Sequence, residues 1–412
     1  MLVLNQNVAR KTYPAELARI LNIKTAEESR AWLRQWDQLR QGETPLWSLR
    51  AAAKRLGVAE IAVKDESVRS PLGSFKALGA PIALIRLVRR LWPAENLRAA
   101  DLFRGRHHAL LQDLTVISAT DGNHGRALAA AARSLGCQCV IVLHAHVSAE
   151  REQAIAAYGA RIIRIAGNYD ESVNEAARLA ADNRWFVVSD TSYEGYEDIP
   201  RDVMQGYGTI VAEVIEQTTS SRASPAFTHV FLQGGVGGLA AGLASYFWEY
   251  HGEHCPRFVV VEPEQADCLL QSAIRNVASR ATGTVDSVMA GLACGEASPL
   301  AWKILQPCID AFQTIQDSDA VDAMRSLASG RDGDVPIVAG ESGAAGLAGL
   351  VALLRDKKSV DMIALNSDAR ILLINTEGAT APSVYADLAG VSAAAVLKRQ
   401  TDYLSHPSHL NA

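Results

Sequence analysis

The chain has 412 residues, 49% of them hydrophobic and 21% charged, with a net charge of −5. That length and balance suit two globular domains with real cores. The small negative charge argues against a general attraction to nucleic acid or membrane, so the expected partner is a small molecule. Met1–Asn7 lacks the basic start and long apolar stretch of a signal peptide. No window offers the roughly 18 uninterrupted apolar residues of a membrane span, and the cytoplasm is the expected compartment. The six cysteines make no Cys-x-x-Cys pair; they read as buried, inert thiols, and no metal site is expected.

In chain order, the first informative stretch is Ser74-Phe75-Lys76-Ala77-Leu78-Gly79. A lysine between Phe75 and Ala77, ahead of an apolar helix, reads as a partly desolvated amine. Desolvation lowers its pKa and makes it a nucleophile toward an aldehyde. Taken alone, such a lysine is an ordinary solvated surface residue. Residues 95–113 carry many charges and read as a surface excursion. From Val116 the pattern becomes regular. Strands at Val116–Ala119, Cys139–Leu143, Arg161–Ile165 and Trp185–Val188 alternate with helices at 123–135, Ala149–Tyr158 and Glu171–Ala181. After a polar segment, Asp190–Pro200, and a Ser/Thr-rich loop, Thr218–Pro225, the pattern restarts. Strands are expected at Thr228–Leu232, Phe258–Val261 and Arg370–Ile374, with a helix at Leu239–Tyr250. Alternation of this length implies βαβ units, parallel sheets and two α/β lobes with a cleft between them.

The polar motifs fall at strand ends, where such sheets bind ligands. Thr120-Asp121-Gly122-Asn123-His124-Gly125 follows a strand and opens a helix, so its N–H groups suit a carboxylate. Plain helix capping by Asp or Asn explains it equally well. Ser189-Asp190-Thr191 follows another strand; it could turn Asp190 toward the cleft or be a polar turn. Gln233-Gly234-Gly235-Val236-Gly237-Gly238 has backbone that can wrap a phosphate at a helix start. The same glycines, with Glu262 ending the next strand, also match a dinucleotide fingerprint, which makes a nicotinamide oxidoreductase a rival reading. Gly340-Glu341-Ser342-Gly343 and Asn375-Thr376-Glu377-Gly378 are further polar turns. Cys268 and Cys294 each lie beside a loop and read as two thiols rather than a clamp.

Taken together, these residues resemble the β-family, fold type II, of pyridoxal-phosphate enzymes. The lysine after Ser-Phe, the Gly-Asn-His-Gly loop and the Gly-rich loop occur in that family's order. Within it, the chain is most similar to the diaminopropionate ammonia-lyases, from about Thr44-Pro45-Leu46 to Asp387. The matching runs include Lys64-Asp65-Glu66-Ser67, Asp190-Thr191 with Glu194-Gly195-Tyr196, Glu262-Pro263, Gly291-Leu292-Ala293-Cys294-Gly295-Glu296, Glu341-Ser342-Gly343 and Thr376-Glu377-Gly378.

The resemblance implies a two-lobed α/β fold with mostly parallel sheets. The large cofactor domain would be 1–84 plus 216–412, and the small domain 85–215. It implies a homodimeric catabolic lyase in which Lys76 holds pyridoxal 5'-phosphate as a Schiff base. Asn123, Gly234, Gly235, Val236, Gly237 and Gly238 would hold the rest of the cofactor. Its ring nitrogen would meet Asn375 or Thr376, since Asn375 stands where the family often has Ser. Catalysis would fall to Lys76, Asp121 and Asp190, with substrate contacts at Thr120, Asp121, Gly122, His124, Tyr169 and Asp190. The implied reaction is elimination of ammonia from either enantiomer of 2,3-diaminopropionate. A serine or threonine dehydratase is the alternative, but dehydratases usually carry Ser at the position of Asp121. A non-catalytic pyridoxal-phosphate-binding protein is the remaining reading.

Overall fold

The structure, a computed structural model, describes residues 1–405 except Arg10, Asp121, His146, Asn168 and the side chain of Asp170. Its described strands are β1 (Leu2–Leu4), β2 (Leu46–Ser48), β3 (Glu60–Asp65), β4 (Thr115–Ala119), β5 (Gln138–Leu143), β6 (Arg161–Arg164), β7 (Phe186–Val187), β8 (His229–Gln233), β9 (Arg257–Pro263), β10 (Ala311–Ile315) and β11 (Arg370–Asn375). They form a seven-stranded sheet, β1-β10-β9-β8-β11-β3-β2, and a four-stranded sheet, β6-β5-β4-β7. The small sheet is wholly parallel. The large one is parallel except at its edges, where β1 meets β10 and β2 meets β3 antiparallel.

The small sheet shows how the sequence makes a two-sided layer. Val116 pairs with Cys139 and Ile117 with Val140 in register. The pleat sends successive side chains to opposite faces. Ile117, Val140 and Val142 therefore pack on Ala176 and Ala180 of the helix Tyr169–Asn183. Val116, Cys139 and Ile141 belong to the main core together with Leu128 of the helix Asn123–Leu135. In the large sheet, all five residues of β8 and of β10 are buried, the continuous burial expected when helices cover both faces.

The expected strands and helices from Val116 to Val188 are all present, with ends shifted by a residue or two. Three features differ from the sequence reading. The short strands β1 and β2, together with β3 and β10, were not anticipated. The segment 95–113 is not merely a surface excursion: it carries the short helices Ala99–Phe103 and His108–Leu111 and buries Leu97, Leu102 and Leu111. The polar segment Asp190–Pro200 runs directly into a 20-residue helix, Asp198–Gln217. Fifteen of the sixteen residues Ile199–Val214 in that helix are buried, Arg201 being the exception. Gly206 lies against the Lys76 segment, and a Cβ there would stand 1.9 Å from the Leu78 carbonyl oxygen. Glycine at this position permits the close approach that fixes the lysine turn.

Candidate active site

Lys76 sits on a single 3-10 turn, Phe75–Leu78. The turn is tied to the end of β11 by the Phe75 N–H donating to the Thr376 carbonyl at 3.0 Å. The Lys76 Nζ is ion-paired with Asp190 Oδ2, just beyond β7, and lies 5.0 Å from the Phe75 ring centre. Both charged side chains are about a fifth exposed, 19% and 18%, so the pair is accessible from the cleft. Burial pushes the Lys76 amine down, but the Asp190 carboxylate outweighs it and holds the amine above the usual lysine range. Burial pushes Asp190 up, and Lys76 followed by His124 holds it below the ordinary carboxylate range.

The loop after β4 supplies the next wall. His124 Nε2 donates to the Val188 carbonyl at 2.9 Å, which fixes its ring, and Nδ1 faces Asp190 Oδ2 at 3.9 Å. Burial pushes the imidazole down, against the pull of Asp190. Asn123 opens the helix Asn123–Leu135, and its Nδ2 donates to Glu377 Oε2. Asp121 lies outside the described residues.

The Gly-rich loop closes the third side. Gly235 and Gly237 have φ of 66° and 97°, a left-handed conformation that glycine adopts without strain. A Cβ on Gly235 would meet the Gly291 carbonyl oxygen at 3.4 Å and Cys294 Sγ at 3.5 Å. The helix Gly238–His251 then starts at this loop, and its first N–H groups point outward without intrahelical partners. A phosphate is the group such a cradle takes.

These elements enclose a cavity of about 1010 Å3, including its opening to solvent. Lys76, Thr120, Gly122, Asn123, His124, Tyr169, Asp190, Gly234, Gly235, Val236, Gly238 and Thr376 all line it. Gly237 turns away from it, toward Leu305 and Ala301. Asn375 is buried beside it, with Nδ2 donating to Asp65 Oδ1 and to the Val338 carbonyl. A lysine amine, an anion-binding helix start and polar groups at the ends of several strands fit pyridoxal phosphate. Glu262 lies behind the Gly-rich loop rather than in the cavity. It accepts N–H bonds from Leu269 at 2.9 Å and Leu270 at 2.8 Å, and burial pushes it up to about 8. It therefore offers no ribose contact, which removes the main support for the nicotinamide reading. Cys268 acts as a thiol donor to the Gly235 carbonyl.

The sequence reading missed one part of the wall. Arg151, from the helix Ala149–Ala156, reaches across the cleft and donates from Nη2 to Glu341 Oε1 at 2.6 Å. Burial and the neighbouring Glu377 push Glu341 up to about 7, against the pull of Arg151. Glu377 also accepts the Ser342 N–H at 3.2 Å. Only the polar turns at Glu341 and Glu377 hinted at this in the sequence; Arg151 carried no local signal.

A family model for pyridoxal-phosphate dependent enzymes matches residues 38–377. A diaminopropionate ammonia-lyase of Escherichia coli K12 is 39% identical over 340 residues, covering 82% of this chain and 84% of that one. The crystal structure of the holo E. coli diaminopropionate ammonia lyase superposes with a TM-score of 0.85 at 36% identity, covering 94% of this chain and 96% of that one. A second structure of that enzyme, in complex with an aminoacrylate-PLP azomethine reaction intermediate, gives 0.83 at 35% identity over the same shares. The chain is a pyridoxal-phosphate-dependent lyase and belongs to the diaminopropionate ammonia-lyase family.

Proposed function

We propose that this enzyme eliminates ammonia from either enantiomer of 2,3-diaminopropionate. The product, aminoacrylate, takes up water to give pyruvate and a second ammonia. The observation that carries this reading is the Asp190 carboxylate fixed beside Lys76 inside the cavity. A diamine needs a fixed anion where its β-ammonium departs, whereas a neutral hydroxyl does not.

Bound pyridoxal phosphate supplies the sink for the electron pair left at Cα. Gly234, Gly235, Val236 and Gly238 hold its phosphate at the helix start, with Gly237 completing the turn. Asn123 and Thr376 are the ring's polar partners; Thr376 is preferred over Asn375 because it lines the cavity. Lys76 Nζ takes the Cα proton on one face. Asp121 is the base assigned to the opposite face, the one that the other enantiomer presents. Asp190 holds the β-ammonium so that the amine leaves protonated, and a proton gained at Lys76 Nζ is stabilised by the same carboxylate. Thr120, Gly122, His124 and Tyr169 orient the rest of the substrate.

The same reading makes the enzyme a cytoplasmic homodimer with a small domain at 85–215. Two facts accompany it. Among the described residues, no helix is long and apolar enough to cross a membrane. Strands β4–β7 all fall inside 85–215. The test is pyruvate release from each enantiomer of diaminopropionate, with serine and threonine beside them. Diaminopropionate is expected to exceed serine in kcat/KM by at least about tenfold. The reverse ranking would make the enzyme a dehydratase.

A further inference from the structure

We propose that Arg151 receives the α-carboxylate of the amino-acid substrate, with Glu341 as the side chain that holds the guanidinium in place. The inference rests on the reading that the cavity takes an amino acid. Among the described residues lining the cavity, Lys76 and Arg151 are the two with a lysine or arginine cation. Lys76 is taken up by Asp190 and by the cofactor. Arg151 is thus the cation left for a substrate anion.

Its geometry suits that task. The side chain is 19% exposed, enough to be reached from the cavity, while Glu341 is 3% exposed. Only Nη2 is used in the bond to Glu341. Among the described residues, Nε and Nη1 make no hydrogen bond. A guanidinium presents its donors as a planar fork that matches a carboxylate. Ser148 caps the helix by accepting the Arg151 N–H at 3.3 Å, which anchors the backbone from which the side chain extends.

The neighbourhood agrees. Arg151 Cδ lies 3.5 Å from where a Cβ on Gly122 would stand, so the arginine packs directly on the Thr120–His124 loop. A carboxylate at that loop meets backbone N–H groups and a guanidinium together. Among the described residues, the other charged ones lining the cavity, Asp190 and Glu377, are carboxylates suited to ammonium groups. A substrate with two amino groups and one carboxylate needs that balance of several anions and one available cation.

The test uses calorimetry on the pyridoxal-phosphate-loaded enzyme with two probes. β-Alanine carries an amine and a carboxylate; 1,2-diaminoethane carries two amines and no carboxylate. Arg151→Met is expected to weaken β-alanine at least about tenfold and to leave 1,2-diaminoethane unchanged within about twofold. In turnover it should raise KM far more than it lowers kcat, and Arg151→Lys should recover part of the loss. Arg151→Gln carries the same expectation as Arg151→Met and keeps a polar group against Glu341, so the comparison survives if the Met variant does not fold. Equal weakening of both probes would make Arg151 a strut between the lobes and overturn the proposal, as would no weakening of either. Failure of the wild type to turn over diaminopropionate would overturn the function proposed above, whereas the probe ratio tests Arg151 on its own.

Discussion

Lys64 and Lys76 each face a carboxylate, yet the two sites differ in every property that decides what a lysine does. Lys64 is fully buried on β3 and uses Nζ three times: to Glu213 at 2.6 Å, to the Thr44 carbonyl at 2.8 Å and to Gln217 Oε1 at 2.8 Å. Arg69 completes the cluster by bonding both Glu213 and Glu66. Burial pushes the Lys64 amine down, against the pull of Glu213 and Glu66. An ammonium group has three donors, so Lys64 has none left for a ligand. Lys76 instead has one carboxylate partner, partial exposure and a cavity in front of it. An ion pair alone is therefore no sign of function. What distinguishes the reactive site is spare bonding capacity facing open space.

The largest expected effect separates the two lysines. Lys76→Ala should lower kcat by at least about a thousandfold while shifting the urea midpoint little. Lys64→Met should do the opposite, costing about 3–5 kcal/mol of stability by breaking a buried pair, with kcat per folded molecule largely kept. A stable, inactive Lys64→Met enzyme would break the comparison. Next, Asp121→Asn should impair one enantiomer of diaminopropionate at least about tenfold more than the other. Equal losses would make Asp121 a helix cap. Asp190→Asn should lower diaminopropionate turnover more than serine turnover, and the reverse ranking would remove its ammonium-binding role.

The smallest effect concerns pH. Burial pushes Glu213 up, but Arg69 and Lys64 outweigh it and hold it down to about 2, below its ordinary value of 4.5. A depressed folded pKa contributes stability that is present above the unfolded value and lost as pH falls through the folded one. Urea midpoints should therefore drop from about pH 4.5 toward about pH 2, and Glu213→Gln should flatten part of that slope. An unchanged slope would mean that the Lys64 cluster is not charged as described.

Much of this was legible in the sequence, for identifiable reasons. The strands of the small sheet are short, apolar and separated by Ala-rich helices, so Val116–Val188 could be read locally. The glycine loop and the Thr120–Gly125 loop announced themselves because anion binding needs special backbone. The helix Asp198–Gln217 escaped notice because its first turn, with Pro200 in it, reads as the end of the polar segment Asp190–Pro200 rather than as a helix start. Asn375 and Thr376 could not be told apart because adjacent residues at a strand end face opposite ways, and one of them turned inward to Asp65. Arg151 and Glu341 are 190 positions apart, and nothing in either local sequence announces a contact that only the folded chain creates.

Lys76, and not the equally carboxylate-paired Lys64, is the proposed carrier of the cofactor. Borohydride reduction of the pyridoxal-phosphate-loaded enzyme, followed by peptide mapping, tests it directly. A pyridoxyl adduct on Lys76 is the predicted result; an adduct on Lys64 or any other lysine would contradict it.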